Sequence, residues 1–333
     1  MSKVILVDNS SIIHQSIFSW NAQKKRQVEN QLGENSFILP SNYSYFMSLI
    51  SLLKRVGVNK DDTIILAGDG RNSWRKAFDK NYKAQREDYR KSHELIDWGF
   101  HYKGIQKTIK QIEESTNFHI IWLSGMYNYL DLLNTEEGEK YLDIEQIDNM
   151  ETEFGIEADD IISVATKVFN DKECVVITKD ADMEQLCVRE NVKFFSMNVK
   201  FRGGTGVYKQ VDNGYKILEK KIRLGDISDN IIVNKENDTE RDKEIRRLII
   251  DLINLPSWVE KPIREVLENL PKKECKFDLL PFPNSLAQRF PQIYAKDKII
   301  TVEDSIKRAE NKKKRAKNKK IKLKKQKTMR KTK

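Results

Sequence analysis

Cysteine, histidine and glycine are sparse in this sequence, and long apolar runs are missing. Cys174, Cys187 and Cys275 are odd in number and widely spaced, which excludes a disulfide framework and a Cys-x-x-Cys metal site. His14, His93, His101 and His119 fall into no zinc-ligand spacing. Any metal held here would rest on oxygen ligands, the preference of hard cations. No apolar stretch approaches the roughly 20 residues of a membrane-spanning helix. The start, MSKVILVDNS, lacks the layout of a secretory signal, so the expectation is an intracellular, cytoplasmic protein without a membrane partner.

What is present is charge, unevenly placed. Residues 307–333 hold 16 lysines and arginines against one glutamate, which is +15 of a total of +10, so residues 1–306 carry −5. A basic tail on an acidic body suggests a nucleic-acid partner held partly by the tail. The hydrophobic share of 39% in 333 residues supplies a substantial core for one large domain and an appendage.

Short apolar runs at 4–7, 63–67, 118–123 and 174–178 read as buried parallel strands, separated by stretches with helical spacing. The fold class is therefore α/β, with a mostly parallel central sheet flanked by helices. Functional groups in such sheets gather beyond the carboxyl ends of strands. Asp8 follows VILV, Asp69 follows TIILA after one glycine, and Asp180 follows CVVIT after one lysine, with Asp182 two residues on. Glu157, Asp159 and Asp160 sit where an apolar-periodic helix begins, and Asp226 and Asp229 follow an expected helix at 214–223. A single Asp after a strand is an ordinary helix cap. The repetition points further, to a shared acidic cleft.

Carboxylates crowded together repel by about 4 kcal/mol per pair at 4 Å with an effective dielectric near 20. Divalent cations would neutralise them, and Mg²⁺, which keeps several waters while taking carboxylate oxygens, suits such a cleft. Two ions about 4 Å apart can promote phosphodiester hydrolysis without a protein nucleophile.

The ordered blocks VILVDNSSIIH, DTIILAGDGRNSWRKAFDKNYKAQR, GIEADDII, VVITKDADMEQL and IRLGDISDNI, covering residues 1–232, resemble the flap endonuclease and 5′→3′ exonuclease superfamily, particularly its phage-type (T-even-like) RNase H branch. The resemblance implies a 5′ nuclease fold related to PIN domains, with a helical arch and a small C-terminal helical subdomain. It implies that Asp8, Asp69, Glu157, Asp159, Asp180, Asp182 and Asp226 hold two Mg²⁺, with Asp160 and Asp229 nearby and Mn²⁺ able to substitute. The activity implied is hydrolysis at 5′ ends of RNA-primed or flapped DNA in replication or repair. The partners implied are DNA with a 5′ flap or single-stranded 5′ end, RNA–DNA hybrid and a single-strand-binding protein, engaged by a monomer. Relatives continue with a Gly-rich helix-hairpin-helix, whereas IIVNKENDTERDKEIRR has no glycine, so that duplex grip is degenerate here.

Residues 71–91, RNSWRKAFDKNYKAQREDYRK, are read as helical, with Trp74, Phe78, Tyr82 and Tyr89 near one face and Lys76, Lys80, Lys83 and Arg90 on another. Cations for phosphates and rings for unstacked bases would suit a single-stranded 5′ end. The plainer account packs the rings into the core. By resemblance, Lys83 and Arg86 begin the arch, expected over residues 83–98, and steer the scissile phosphate, with Arg75 and Lys76 as the preceding basic pair. The candidate substrate contacts are thus Arg75, Lys76, Tyr82, Lys83, Arg86 and Arg90.

The expected organisation is a catalytic domain over 1–232, a helical C-terminal subdomain over 233–305 and a basic tail over 306–333, disordered or transiently helical when free. Residues 124–153 read as an acidic insertion. Two rival functions stand behind the nuclease: a PIN-type ribonuclease, and a non-catalytic DNA-binding replication protein working through its tail.

Overall fold

The computed structural model describes residues 2–29, 38–59, 61–93, 96–201, 204–234, 236–273 and 301–329. Cys275, residues 274–300 of the expected C-terminal subdomain and residues 94–95 of the expected arch lie outside the described residues.

The apolar runs become strands where β-branched residues dominate and polar side chains are lacking. Strand β1 (Val4–Asp8), β2 (Thr63–Gly68), β3 (His119–Trp122) and β4 (Cys174–Thr178) follow the four predicted runs. Two further strands, β5 (Val192–Phe201) and β6 (Gly204–Lys209), were not anticipated. Lysine, serine and asparagine interrupt the first and glycines the second, so neither reads as an apolar run. The sheet order is β3-β2-β1-β4-β5-β6, parallel except for the antiparallel edge strand β6.

Successive residues of a strand point to opposite faces, and β1 shows the division. Ile5 and Val7 enter one core with Ile12 and Ile17 of α1 (Asn9–Glu29), Tyr45 and Leu49 of α2 (Ser41–Arg55) and Ile105 and Ile109 of α5 (Trp98–Ser115). Val4 and Leu6 enter the other core, with Ile161, Ile162 and Ala165 of α8 (Ala158–Val168) and Val259, Ile263 and Leu267 of α11 (Ser257–Glu268). Each fully buried aliphatic side chain contributes about 1.5–3 kcal/mol, so helix α11 is tied to the main sheet. Pro262 inside α11 leaves the Trp258 carbonyl without its helical donor, and the Tyr127 hydroxyl donates to it at 2.6 Å.

Residues 71–91 do not form one helix. They make α3 (Arg75–Phe78) and α4 (Gln85–Lys91), separated by a turn in which Lys83 has φ +57°. Short helices α6 (Tyr129–Leu133) and α7 (Glu136–Tyr141) occupy the acidic stretch 124–153, anchored by buried Tyr129 and Leu132. Helix α9 (Gly214–Leu224) matches the expected one, and α10 (Glu240–Ile250) precedes α11. In the basic tail, Val302–Met329 is an α-helix, here α12. Its lysines favour helix among charged residues, and its start is pinned where the Ser305 hydroxyl accepts from the Tyr208 backbone at 2.9 Å. Among the described residues no helix is long and apolar enough to cross a membrane.

Candidate active site

In this sheet the chain runs outward from β1 through β2 to β3, then returns to the other side of β1 through β4. The strand ends of β1 and β4 therefore face a crevice from which connections depart in opposite directions, the usual place for a ligand site. Asp8, the last residue of β1, accepts from the Ser11 backbone at 3.0 Å, from the Ser11 hydroxyl and from the Thr178 hydroxyl at 2.7 Å. Thr178, at the end of β4, also accepts from the Asp180 backbone at 2.9 Å, so one buried hydroxyl couples the two strand ends.

Asp69, just past β2, accepts from the Ala158 backbone at 3.0 Å and so covers the amino end of α8. The loop after it lies close to its neighbours because a Cβ at Gly70 would stand 2.2 Å from the Leu123 carbonyl. Asp159, in the first turn of α8, completes the set, and Asp8, Asp69, Asp159 and Asp180 line a cleft of about 390 Å³ together with Lys83, Arg86, Arg90 and Lys179. None of the four carboxylates is salt-bridged among the described residues, whereas the remaining acids are.

Those acids form a second, closer group. The oxygens of Asp182, Asp226 and Asp229 lie within 4.8 Å of one another, and Lys221 is bonded to both Asp182 and Asp226. Glu157 receives the Lys83 ammonium at 2.6 Å, Arg75 at 2.9 Å and the Tyr82 hydroxyl at 2.9 Å, while Arg86 reaches Asp229 at 2.9 Å. Asp159 borders both groups.

Four expectations change. Asp160 faces away from the cleft: it is fully buried, with its oxygens taken by Arg75 at 2.6 and 3.0 Å, the Trp74 indole at 2.9 Å and the Glu157 backbone at 3.1 Å. It is a capping and ion-pair residue rather than a metal ligand. Arg75 is correspondingly buried, held also by the Ile249 carbonyl at 2.7 Å, and has no surface for a substrate. Tyr82 is buried with its hydroxyl toward Glu157 and Asp229 and positions those carboxylates. Lys76 does not line the cleft, whereas Lys83, Arg86 and Arg90 do.

Sequence reasoning missed Lys221, Lys179, Thr178 and, of the aromatic wall, His14, Phe18 and Trp98, while Tyr89 of that wall is one of the rings it singled out. Only Ser11 carried a signal, being the third residue after a strand-end Asp, where a helix begins. Lys83 sits at a left-handed backbone position, and its N–H donates to the Asp229 carbonyl at 2.9 Å. Such strain in a non-glycine residue costs of order 1–3 kcal/mol and is typical of functional sites.

The electrostatics reflect the two groups. Burial and the Asp69 charge push Asp8 up to about 6. Burial and Asp180 raise Asp159, and push Asp182 up to about 8 although Lys221 pulls it down. Against the effect of burial, Lys83 and Arg75 hold Glu157 at about 2, and Lys221 and Ser228 hold Asp226 at about 2. The open half thus gathers carboxylates that no side chain salt-bridges among the described residues. Such an all-oxygen donor set fits a hard divalent cation.

Binding such an ion should release protons, because Asp8 must be ionised to serve as a ligand. Its raised value means that the proton returns as pH falls through about 6. Affinity for a divalent ion is therefore expected to weaken as pH falls from about 7 to about 5. Calorimetry in buffers of different ionisation enthalpy checks this; a pH-independent affinity with no proton release would contradict it.

No protein-family model matches the chain, and no curated protein matches it. Among solved structures, T5 5′-exonuclease with divalent metal ions (zinc) bound is similar over 90% of this chain and 97% of its own, at 17% identity and a TM-score of 0.42. A likeness this weak leaves the site to be read from its own residues.

Proposed function

We propose that the protein is a divalent-metal-dependent 5′ nuclease of the flap endonuclease and 5′→3′ exonuclease superfamily, hydrolysing phosphodiester bonds at 5′ ends of RNA-primed or flapped DNA. The observation that carries this reading is the gathering of Asp8, Asp69, Asp159, Asp180, Asp182, Asp226 and Asp229 along two adjoining spaces that share Asp159, with Glu157 joined to them through Lys83, and Lys83, Arg86, Arg90 and Lys179 around the larger one. A negative floor with a positive rim suits a polyanion whose scissile group must meet cations. Mg²⁺ held by the open carboxylates would polarise the phosphodiester and lower the pKa of an attacking water.

The protein's own residues supply the rest. Arg86 and Arg90, on the exposed helix α4, and Lys179, beyond β4, are placed to hold the phosphates flanking the bond to be cut. Lys83, which lines the cleft with its ammonium on Glu157, would meet the reacting phosphate and orient it. Phe18, Tyr89 and Trp98 wall the cleft on the side of α1 and limit access of bulk water. Helix α12 adds binding by counterion release.

The direct experiment offers 5′-labelled flap DNA, nicked RNA–DNA and single-stranded RNA, with and without Mg²⁺. The flap and hybrid should be cut only with metal. Cleavage of RNA alone would favour a PIN-type ribonuclease, and binding without cleavage a scaffold. Lys83→Ala should slow cleavage about 10²–10³-fold, the scale of removing one electrostatic stabiliser, with much less effect on DNA binding. Equal losses in both would make Lys83 a docking residue.

A further inference from the structure

Lys221 is placed by helix α9 with little freedom. Leu218 and Ile222 of the same helix are buried, and residues 218, 221 and 222 share one helical face, so Lys221 must point inward with them. Its side chain is 19% exposed, and its ammonium is bonded to Asp182 and Asp226, which lie on either side of α9 in the chain. Asp226 follows Gly225, whose φ of +75° turns the chain sharply back toward that ammonium.

Two observations separate this half of the cleft from the other. One oxygen each of Asp182, Asp226 and Asp229 lies within 4.8 Å of the others, and the Lys221 ammonium is bonded to two of the three acids. The space they border, together with Asp159, is about 10 Å³, no more than the smallest cavity that holds one water. The open half, bordered by Asp8, Asp69, Asp159 and Asp180, offers about 390 Å³ and has no salt-bridged carboxylate among the described residues. One half is therefore narrow and salt-bridged by the chain itself, and the other is wide with no salt bridge on its carboxylates among the described residues.

We infer that Lys221 acts as a tethered monovalent cation in the subsite formed by Asp182, Asp226 and Asp229, so that one divalent ion binds the open half tightly and a second binds only by displacing this ammonium. The inference rests on the reading that the cleft holds divalent ions. It predicts that the two ions of the proposed reaction load unequally, the second becoming bound only at higher metal concentration or when a substrate phosphate helps expel the lysine.

The test counts Mn²⁺ on the full-length, metal-stripped protein by electron paramagnetic resonance of the free ion, with circular dichroism as a check of folding. The native protein should bind one ion tightly and a second at least about tenfold more weakly, within the 10–100-fold range that groups around metal ligands produce. Lys221→Met should tighten the second site by about tenfold or more, and Lys221→Arg should resemble the native protein. Lys221→Gln, read in the same way, serves if the methionine variant does not fold. Two equally tight ions in the native protein, or a second site unchanged in Lys221→Met, would overturn the inference alone. No Mn²⁺ binding by any of these proteins would overturn it together with the metal-site reading.

Discussion

Asp159→Asn is expected to make the metal-free protein more stable by about 0.5–2 kcal/mol, the scale seen when a strained site is relieved, while lowering cleavage about 10³-fold. The two effects have one cause. Asp159 has no salt bridge among the described residues, and burial together with Asp180 raises its pKa, so its charge is tolerated rather than favoured in the folded chain. A carboxyl with a raised folded pKa binds its proton more readily in the native than in the unfolded state. Its destabilising effect is therefore full above the folded pKa and disappears as pH falls below the unfolded value near 4. The stability gap between variant and native protein should accordingly widen as pH rises and close toward the unfolded value near pH 4. Thermal unfolding across that range, with and without Mg²⁺, measures it. Mg²⁺ should stabilise the native protein more than the variant, since the asparagine cannot offer the same charge. A variant less stable than the native protein at every pH would show that Asp159 is a structural group.

Arg75→Met is expected to cost about 3–5 kcal/mol of folding stability, the penalty for leaving a buried charge without its partner. Arg75 and Asp160 are both buried and joined by two hydrogen bonds, with Glu157 and the Ile249 carbonyl as further partners. Through these contacts the guanidinium fixes the amino end of α8 against α10, and with it the directions of Glu157 and Asp159. Denaturant unfolding is the measurement. A loss below about 1 kcal/mol, the level of an exposed pair, accompanied by weakened DNA binding, would restore Arg75 to the substrate surface.

The contrast between these neighbours shows where the sequence was legible. The strand-end acids could be read because a fully buried parallel strand needs an unbroken apolar run, and Asp8, Asp69 and Asp180 stand where such runs stop. Glu157, Asp159 and Asp160 could be read only as a cluster. Successive helix residues turn by about 100°, so Asp159 borders the cleft while Asp160 points into the protein, and which does which depends on how α8 is rotated by Ile161, Ile162 and Ala165 in the core. Nothing in GIEADDII fixes that rotation.

The break between α3 and α4 was hidden for a different reason. Lysine rarely takes a positive φ, so Lys83 gave no local sign of a turn, and the aromatic spacing across residues 74–89 imitated a helix. Trp74 and Tyr82 are indeed buried, as the plainer account of the rings had it, but from two separate segments. Strand β6 escaped because an edge strand tolerates glycine, and β5 because its second half runs out toward solvent and carries polar residues. Lys221 escaped because its meaning lies in acids 39 and 5 residues away in the chain, which only the packing of α9 brings to it.

If strand-end carboxylates form one divalent-ion site at the crevice between β1 and β4, the ion itself can be located there. Crystals soaked in Mn²⁺ and measured at the manganese absorption edge test it most directly. An anomalous peak is expected in contact with oxygens of Asp8 and Asp180 and bordered by Asp69 and Asp159. A map without a peak in that cleft, or with manganese only on scattered surface acids, would contradict it.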